Sequence, residues 1–194
     1  MPRRPIRAAV MVLLVFVAAS PASAQVRYDP EAMVTAQREA MRALSFMDGA
    51  WRGTAWVLEA GGRQRLVQTE RVGLLLGGAV RLVEGRGYGS DGSTRFNALG
   101  IISFNPATRN YSIRAYAMGH SGDFPLRLLP NGYVWEAPAG PGATVRYTAT
   151  FDGGVWHEVG ERVGGTAAPV RVLEMRLRRI GATSWPTGGA VPRR

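Results

Sequence analysis

The stretch ATVRYTATF-DGG-VWHEVGERV, residues 143–163, decides the fold. Two runs in which apolar and polar residues alternate flank Asp152-Gly153-Gly154, and each run is long enough for a strand but too short for a helix. Asp-Gly supplies the positive φ that a tight hairpin turn requires, so the stretch predicts a β-hairpin. Working outward, the same arrangement repeats from Trp51 to Ile180. The predicted strands are Ala50–Glu59, Arg63–Leu75, Ala79–Gly87, Thr94–Phe104, Asn110–Met118, Asp123–Leu129, Tyr133–Ala137, Ala143–Phe151, Val155–Val163 and Val170–Ile180. Between them stand turn signals such as Gly61-Gly62, Gly77-Gly78, Asp91-Gly92, Gly119 to Gly122 and Asn131-Gly132. Short strands joined by short links make an antiparallel meander. Closing the meander into an up-and-down barrel of about eight to ten strands removes its exposed edges. A β-sandwich competes, but sandwich topologies usually need long crossings between sheets, and none is visible here.

Upstream, Asp29-Pro30-Glu31 opens a helix, with Asp as the cap and Pro at the first helical position. Met33, Ala36, Ala40, Met41 and Leu44 follow at helical spacing, which predicts a helix over Pro30–Leu44 lying against the barrel wall or across one mouth. The first residues read as an export signal. Arg3, Arg4 and Arg7 form a basic region, Ala8 to Ala19 an apolar run, and Ala22-Ser23-Ala24 a small-x-small site ahead of Gln25. The apolar run is short of the ~20 residues a spanning helix needs, so no stable membrane anchor is expected. The expected organisation is a signal peptide over 1–24, a helical segment over 25–45, a barrel domain over 46–181 and a loose tail over 182–194.

The formal charge is +10, every basic residue is Arg, and removal of residues 1–24 would leave +7. The arginines are scattered singly along the strands rather than gathered into one patch, which argues against nucleic acid as a partner. The chain has no cysteine. That excludes disulfides, thiolate chemistry and acylation of a lipoprotein anchor. Its only histidines are His120, in a glycine-flanked turn, and His157, mid-strand. An inward His157 would be a ligand for haem or metal; the plainer reading is a surface or satisfied interior histidine. No second donor stands at metal-ligand spacing. Ser90, Ser93 and Ser121 lie in turns with no Gly-x-Ser-x-Gly elbow. Glu70, Glu84, Glu136, Glu158 and Glu161 are possible acids, but nothing in the sequence pairs them. No catalytic constellation emerges, and no enzyme activity, cofactor or metal is expected.

The run Arg63–Leu75 carries Gln64, Leu66, Gln68, Glu70, Val72 and Leu74 on one face. If that face points inward, an amide and a carboxylate sit in the barrel and can grip a ligand. The bland alternative has Gln68 and Glu70 solvated or paired with arginines, since glutamate is rarely buried unpaired. Aromatic residues recur as Trp51, Trp56, Tyr111, Tyr116, Trp135, Tyr147 and Trp156, either filling a core or lining a cavity.

Phe46-Met47-Asp48-Gly49-Ala50-Trp51-Arg52-Gly53 resembles the opening motif of lipocalin-like (calycin) barrels, in which the tryptophan closes the barrel bottom. Gln68 to Val72, Leu76-Gly77-Gly78, Ala98 to Asn105, Tyr111 to Tyr116 and Gly154 to Glu161 are similar to a bacterial lipocalin-like domain family of unknown function. Nitrobindin-type haem barrels are similar in outline, but the resemblance carries no haem role over to His157. It implies a barrel of about ten strands and no established reaction.

Together these features lead to an expected function: an exported barrel binding a small hydrophobic or amphipathic ligand. The candidate lining is Gln68, Glu70, Arg114, Tyr116, Trp156 and His157. The alternative is an envelope accessory protein whose barrel is filled by side chains.

Overall fold

The structure is a computed structural model and describes residues 29–183. The expected signal peptide, and the expected tail from residue 184 on, lie outside the described residues.

Ten antiparallel strands form a closed barrel: β1 (Gly49–Glu59), β2 (Gly62–Leu75), β3 (Val80–Tyr88), β4 (Thr94–Asn105), β5 (Asn110–Ala117), β6 (His120–Leu129), β7 (Gly132–Pro138), β8 (Ala143–Asp152), β9 (Val155–Gly164) and β10 (Val170–Gly181). Each strand pairs with the next, and β1 pairs with β10 to close the ring. The sandwich alternative is thereby set aside.

Several element ends shift by a residue or two, and the start of β6 shifts by three. The turn read as Gly119 to Gly122 shrinks to Met118-Gly119, both at positive φ (49° and 81°), and β6 starts at His120, paired to Ala117. A two-residue turn with positive φ at both positions matches the twist of a hairpin, so pairing resumes at once. The left-handed conformation of Met118 left no glycine mark at that position.

Helix α1 (Pro30–Arg42) begins as expected: the Asp29 side chain accepts from the backbone N–H of Glu31 and Ala32 at 3.1 Å each. It stops two residues before Leu44, and a short 3-10 turn, Ser45–Met47, leads into β1. Of the two placements expected for the helix, the structure takes the one across a mouth. Met41, Leu44 and Met47 are fully buried. The Tyr111 hydroxyl donates to the Ala40 carbonyl at 2.9 Å, Gln37 to the Phe104 carbonyl at 3.3 Å and Arg38 to the Gly77 carbonyl at 3.0 Å.

This closed end is packed with large side chains. Trp51 donates its indole N–H to the Met47 carbonyl at 2.8 Å and meets Phe151 and Trp156 edge-on at 5.7 and 5.8 Å. Val72, Ile102, Leu126, Phe151 and Leu177 complete the layer. Arg81 is buried among them. Its guanidinium donates to both Asp48 oxygens, at 2.8 and 3.0 Å, and to the Met41 carbonyl. A charge taken from water needs such partners, and here they also tie the third strand to the helix and to the start of the first.

Candidate functional site

Alternation along a strand makes neighbouring side chains face opposite sides of the sheet. In the half of the barrel away from α1, the inward positions of β3, β4 and β5 include Gly85, Gly87, Ala98, Gly100, Ala115 and Ala117, which fill little space. The result is a cavity of about 210 Å³. Leu66, Phe96, Trp135, Tyr147 and Leu173 supply much of its apolar wall, with Trp156 and Met175 toward the packed end. Trp135 and Tyr147, directly opposite on β7 and β8, stack at 4.5 Å with planes 16° apart. Leu99 and Tyr116 border the cavity beside the small inward residues Ala98, Gly100, Ala115 and Ala117.

Polar groups converge at one place on this apolar wall. Gln68 and Glu70, both buried, point inward from β2, and Gln68 donates to Glu70 Oε1 at 2.7 Å. The bland expectation for these two residues is therefore corrected: both are buried, and among the described residues no arginine pairs with Glu70. Glycines on β3 make the placement feasible. Gly85 lies opposite Glu70, and a Cβ there would come within 2.6 Å of Glu70 Oε1; at Gly87 a Cβ would come within 2.9 Å of Gln68 Oε1. Glu158 reaches the cavity from β9. Its Oε2 accepts from the Tyr133 hydroxyl at 3.0 Å and from the Trp156 indole N–H at 3.2 Å.

The electrostatics follow from burial. Desolvation pushes Glu70 from the usual 4.5 to about 8, against the opposing hydrogen bond from Gln68 and with smaller contributions from the charges of Glu158 and Glu84. Glu158 is raised by burial too, although its two hydrogen bonds favour the ionised form. It keeps some accessible surface, toward the cavity, but protein atoms surround it. Tyr133 is held well above the usual phenol value, first by burial and then by the neighbouring carboxylates.

Of the six residues expected to line the barrel, Gln68, Glu70 and Trp156 do so, and Tyr116 stands at the border, partly exposed. Arg114 and His157 do not line the cavity, and this corrects the expectation. Arg114 lies on the outer face, where its guanidinium meets Asp123 and donates to the Tyr116 hydroxyl at 2.7 Å. His157 is also outside, 3.0 Å from Glu174, which takes further bonds from Trp56 and Arg171. The reason is parity: Trp156 and His157 are adjacent, so only one can face inward. The same rule carries Glu158 inward with Trp156 and would have found it. Tyr133 was missed because its run was read as a strand without assigning its face.

Haem of the kind held by histidine does not fit this cavity, because neither of the chain's two histidines lines it. Among the described residues no group of three or more histidines and carboxylates could hold a metal ion.

No protein-family model matches the chain, and no curated protein sequence matches it. Among solved structures it is similar to the crystal structure of Rv2717c from M. tuberculosis. The TM-score is 0.55 at 12% identity, covering 72% of this chain and 96% of that one. Likeness at that identity shows the barrel fold alone.

Proposed function

We propose that this protein is an exported, lipocalin-like barrel that binds a small hydrophobic or amphipathic molecule in the half of the barrel away from α1. One observation carries the reading. An internal cavity is walled by apolar and aromatic side chains and bears a compact set of buried polar groups, the usual make-up of a small-molecule site. Its volume, about 210 Å³, is below the ~300 Å³ at which typical drug-sized sites begin, which favours a compact occupant. The filled-barrel alternative accounts for the packed half only. Export rests on the order of basic, apolar and small residues in the first 24 positions, and membership of the lipocalin-like family rests on the quoted motifs together with the shared fold. The proposal is for binding and assigns no reaction.

Native mass spectrometry of protein recovered from its own host tests this directly. The expected result is a chain beginning at Gln25 that carries a small non-covalent adduct. The adduct should vanish in Ala98→Leu and Ala115→Leu, which place a larger side chain in the cavity. A bare chain, or an adduct indifferent to both substitutions, contradicts the reading.

A further inference from the structure

The charge of the cavity runs against the charge of the chain. The sequence carries a formal +10 from arginine alone, yet among the described residues no basic side chain lines the cavity, and its two carboxylic acids are Glu70 and Glu158. Arginines that could neutralise them lie elsewhere. Arg71 and Arg86 meet Glu84 on the outer face, and Arg81 is engaged by Asp48 at the packed end.

The hydrogen-bond inventory points the same way. Gln68 spends a donor on Glu70, while Tyr133 and Trp156 spend theirs on Glu158. Glu70 Oε2, Glu158 Oε1 and Gln68 Oε1 receive no donor from the described residues. Glu70 and Gln68 are more than nine-tenths buried, at 8% and 4% exposure, and both face the cavity. Acceptors are thus left over in a site to which the described residues bring no cation. The chemical complement is a group with positive charge or several donors. The surrounding wall suits such a group, because Trp135, Tyr147 and Trp156 line it and aromatic rings attract organic cations, quaternary ammonium among them. A bare metal ion is a poorer match, since among the described residues no third carboxylate, histidine or cysteine joins the two carboxyls.

We propose that the occupant is a small organic ammonium compound, its charged nitrogen seated by Glu70 and Glu158 and its hydrocarbon body against the aromatic and aliphatic wall. The inference rests on the ligand-binding reading of the same cavity and goes further by fixing the chemical class. At ~30 Å³ for each water-sized group, a cavity of about 210 Å³ holds a molecule of about seven non-hydrogen atoms.

The test compares choline with its neutral carbon isostere, 3,3-dimethylbutan-1-ol, on the full chain at pH 8.5 and low salt. The readout is the NMR shift of the Met175 side-chain methyl, which reports the cavity rather than the surface. Choline should move this signal saturably and bind at least tenfold more tightly than the alcohol. In the double variant Glu70→Gln, Glu158→Gln, that preference should fall below threefold while the alcohol still shifts Met175, which shows that the fold and cavity persist. If the alcohol binds as well as choline, the ammonium class is overturned and ligand binding stands. If the preference survives in the double variant, the seat assigned to the two carboxyls is overturned. If neither compound moves Met175, both the class and the binding reading fall.

Discussion

The two ends of the barrel use one architecture to opposite effect. Near α1, the inward positions hold Trp51, Val72, Ile102, Phe151 and Leu177; the helix adds Met41, and the segment leading into β1 adds Leu44 and Met47. At the far end, corresponding positions hold Gly85, Gly87, Ala98, Ala115 and Ala117, and space remains. Each end also buries charge, and the difference in treatment is instructive. Arg81 is matched by both oxygens of Asp48 and a helix carbonyl. Glu70 and Glu158 receive only neutral donors. A buried charge held by an opposite charge anchors structure; buried acids held only by neutral dipoles shift toward their protonated forms and leave acceptors facing the cavity. The packed end explains how the barrel stays shut, and the open end holds the cavity proposed as the ligand site.

Removing one partner at the packed end should have the largest effect. Asp48→Ala strands the Arg81 guanidinium in an apolar layer and is expected to cost about 3 kcal/mol, read as a lower urea midpoint. A loss under ~1 kcal/mol would mean that Arg81 finds water or another acceptor, and the contrast between the ends would blur.

The open end should respond to pH instead. Folding raises Glu70 from 4.5 to about 8, so between those values the folded chain holds a proton that the unfolded chain has released. Its contribution to stability is complete below about pH 4.5, is lost as pH rises toward 8 and changes little beyond. The groups that set this are Gln68 on its own strand, Glu84 across β3, Glu158 on β9 and, through Glu158, Tyr133 on β7. Glu158 acts in the same direction. At ~1.4 kcal/mol per pKa unit, the loss should amount to a few kcal/mol, and Glu70→Gln should flatten it. Denaturant melts at pH 5 and pH 8.5 measure both slopes.

Smaller effects sharpen the comparison. Tyr133→Phe removes one of two donors to Glu158 and should cost about 1–2 kcal/mol while pushing the Glu158 carboxyl further up. His157→Ala, on the outer face, should change stability by no more than ~0.5 kcal/mol and leave choline titrations unaltered. A cavity effect from His157→Ala would reverse the assignment of that residue to the outside.

The unequal legibility of fold and site in the sequence has a physical cause. Strand placement rests on local chemistry, and Asp152-Gly153-Gly154 or Asn131-Gly132 mark turns wherever the strands go. The ten predicted strands accordingly correspond to the ten found, with end shifts as at His120. Facing is a global property. Gln68 and Glu70 were placed on the right side of their own strand, but only closure of the barrel decided that this side was the interior. On β9, the expectation that Trp156 and His157 both line the barrel breaks the alternation of a strand; Trp156 faces inward and brings Glu158 with it. The glycines at 85 and 87 carried the remaining signal, because a Gly-x-Gly within a strand marks close approach from across the sheet. Identifying the approaching groups as Glu70 and Gln68 needed the register.

The contrast between a neutralised and an unneutralised end is tested most directly by following the Glu70 side-chain carboxyl carbon by NMR across pH in the ligand-free protein. With no cation beside it, the carboxyl should titrate near 8, and a saturating concentration of choline should move that inflection downward. An inflection in the ordinary carboxylate range, near 4.5, with no response to choline would show that water or a positive group already stabilises the charge, and would contradict the assignment of this end as the ligand site.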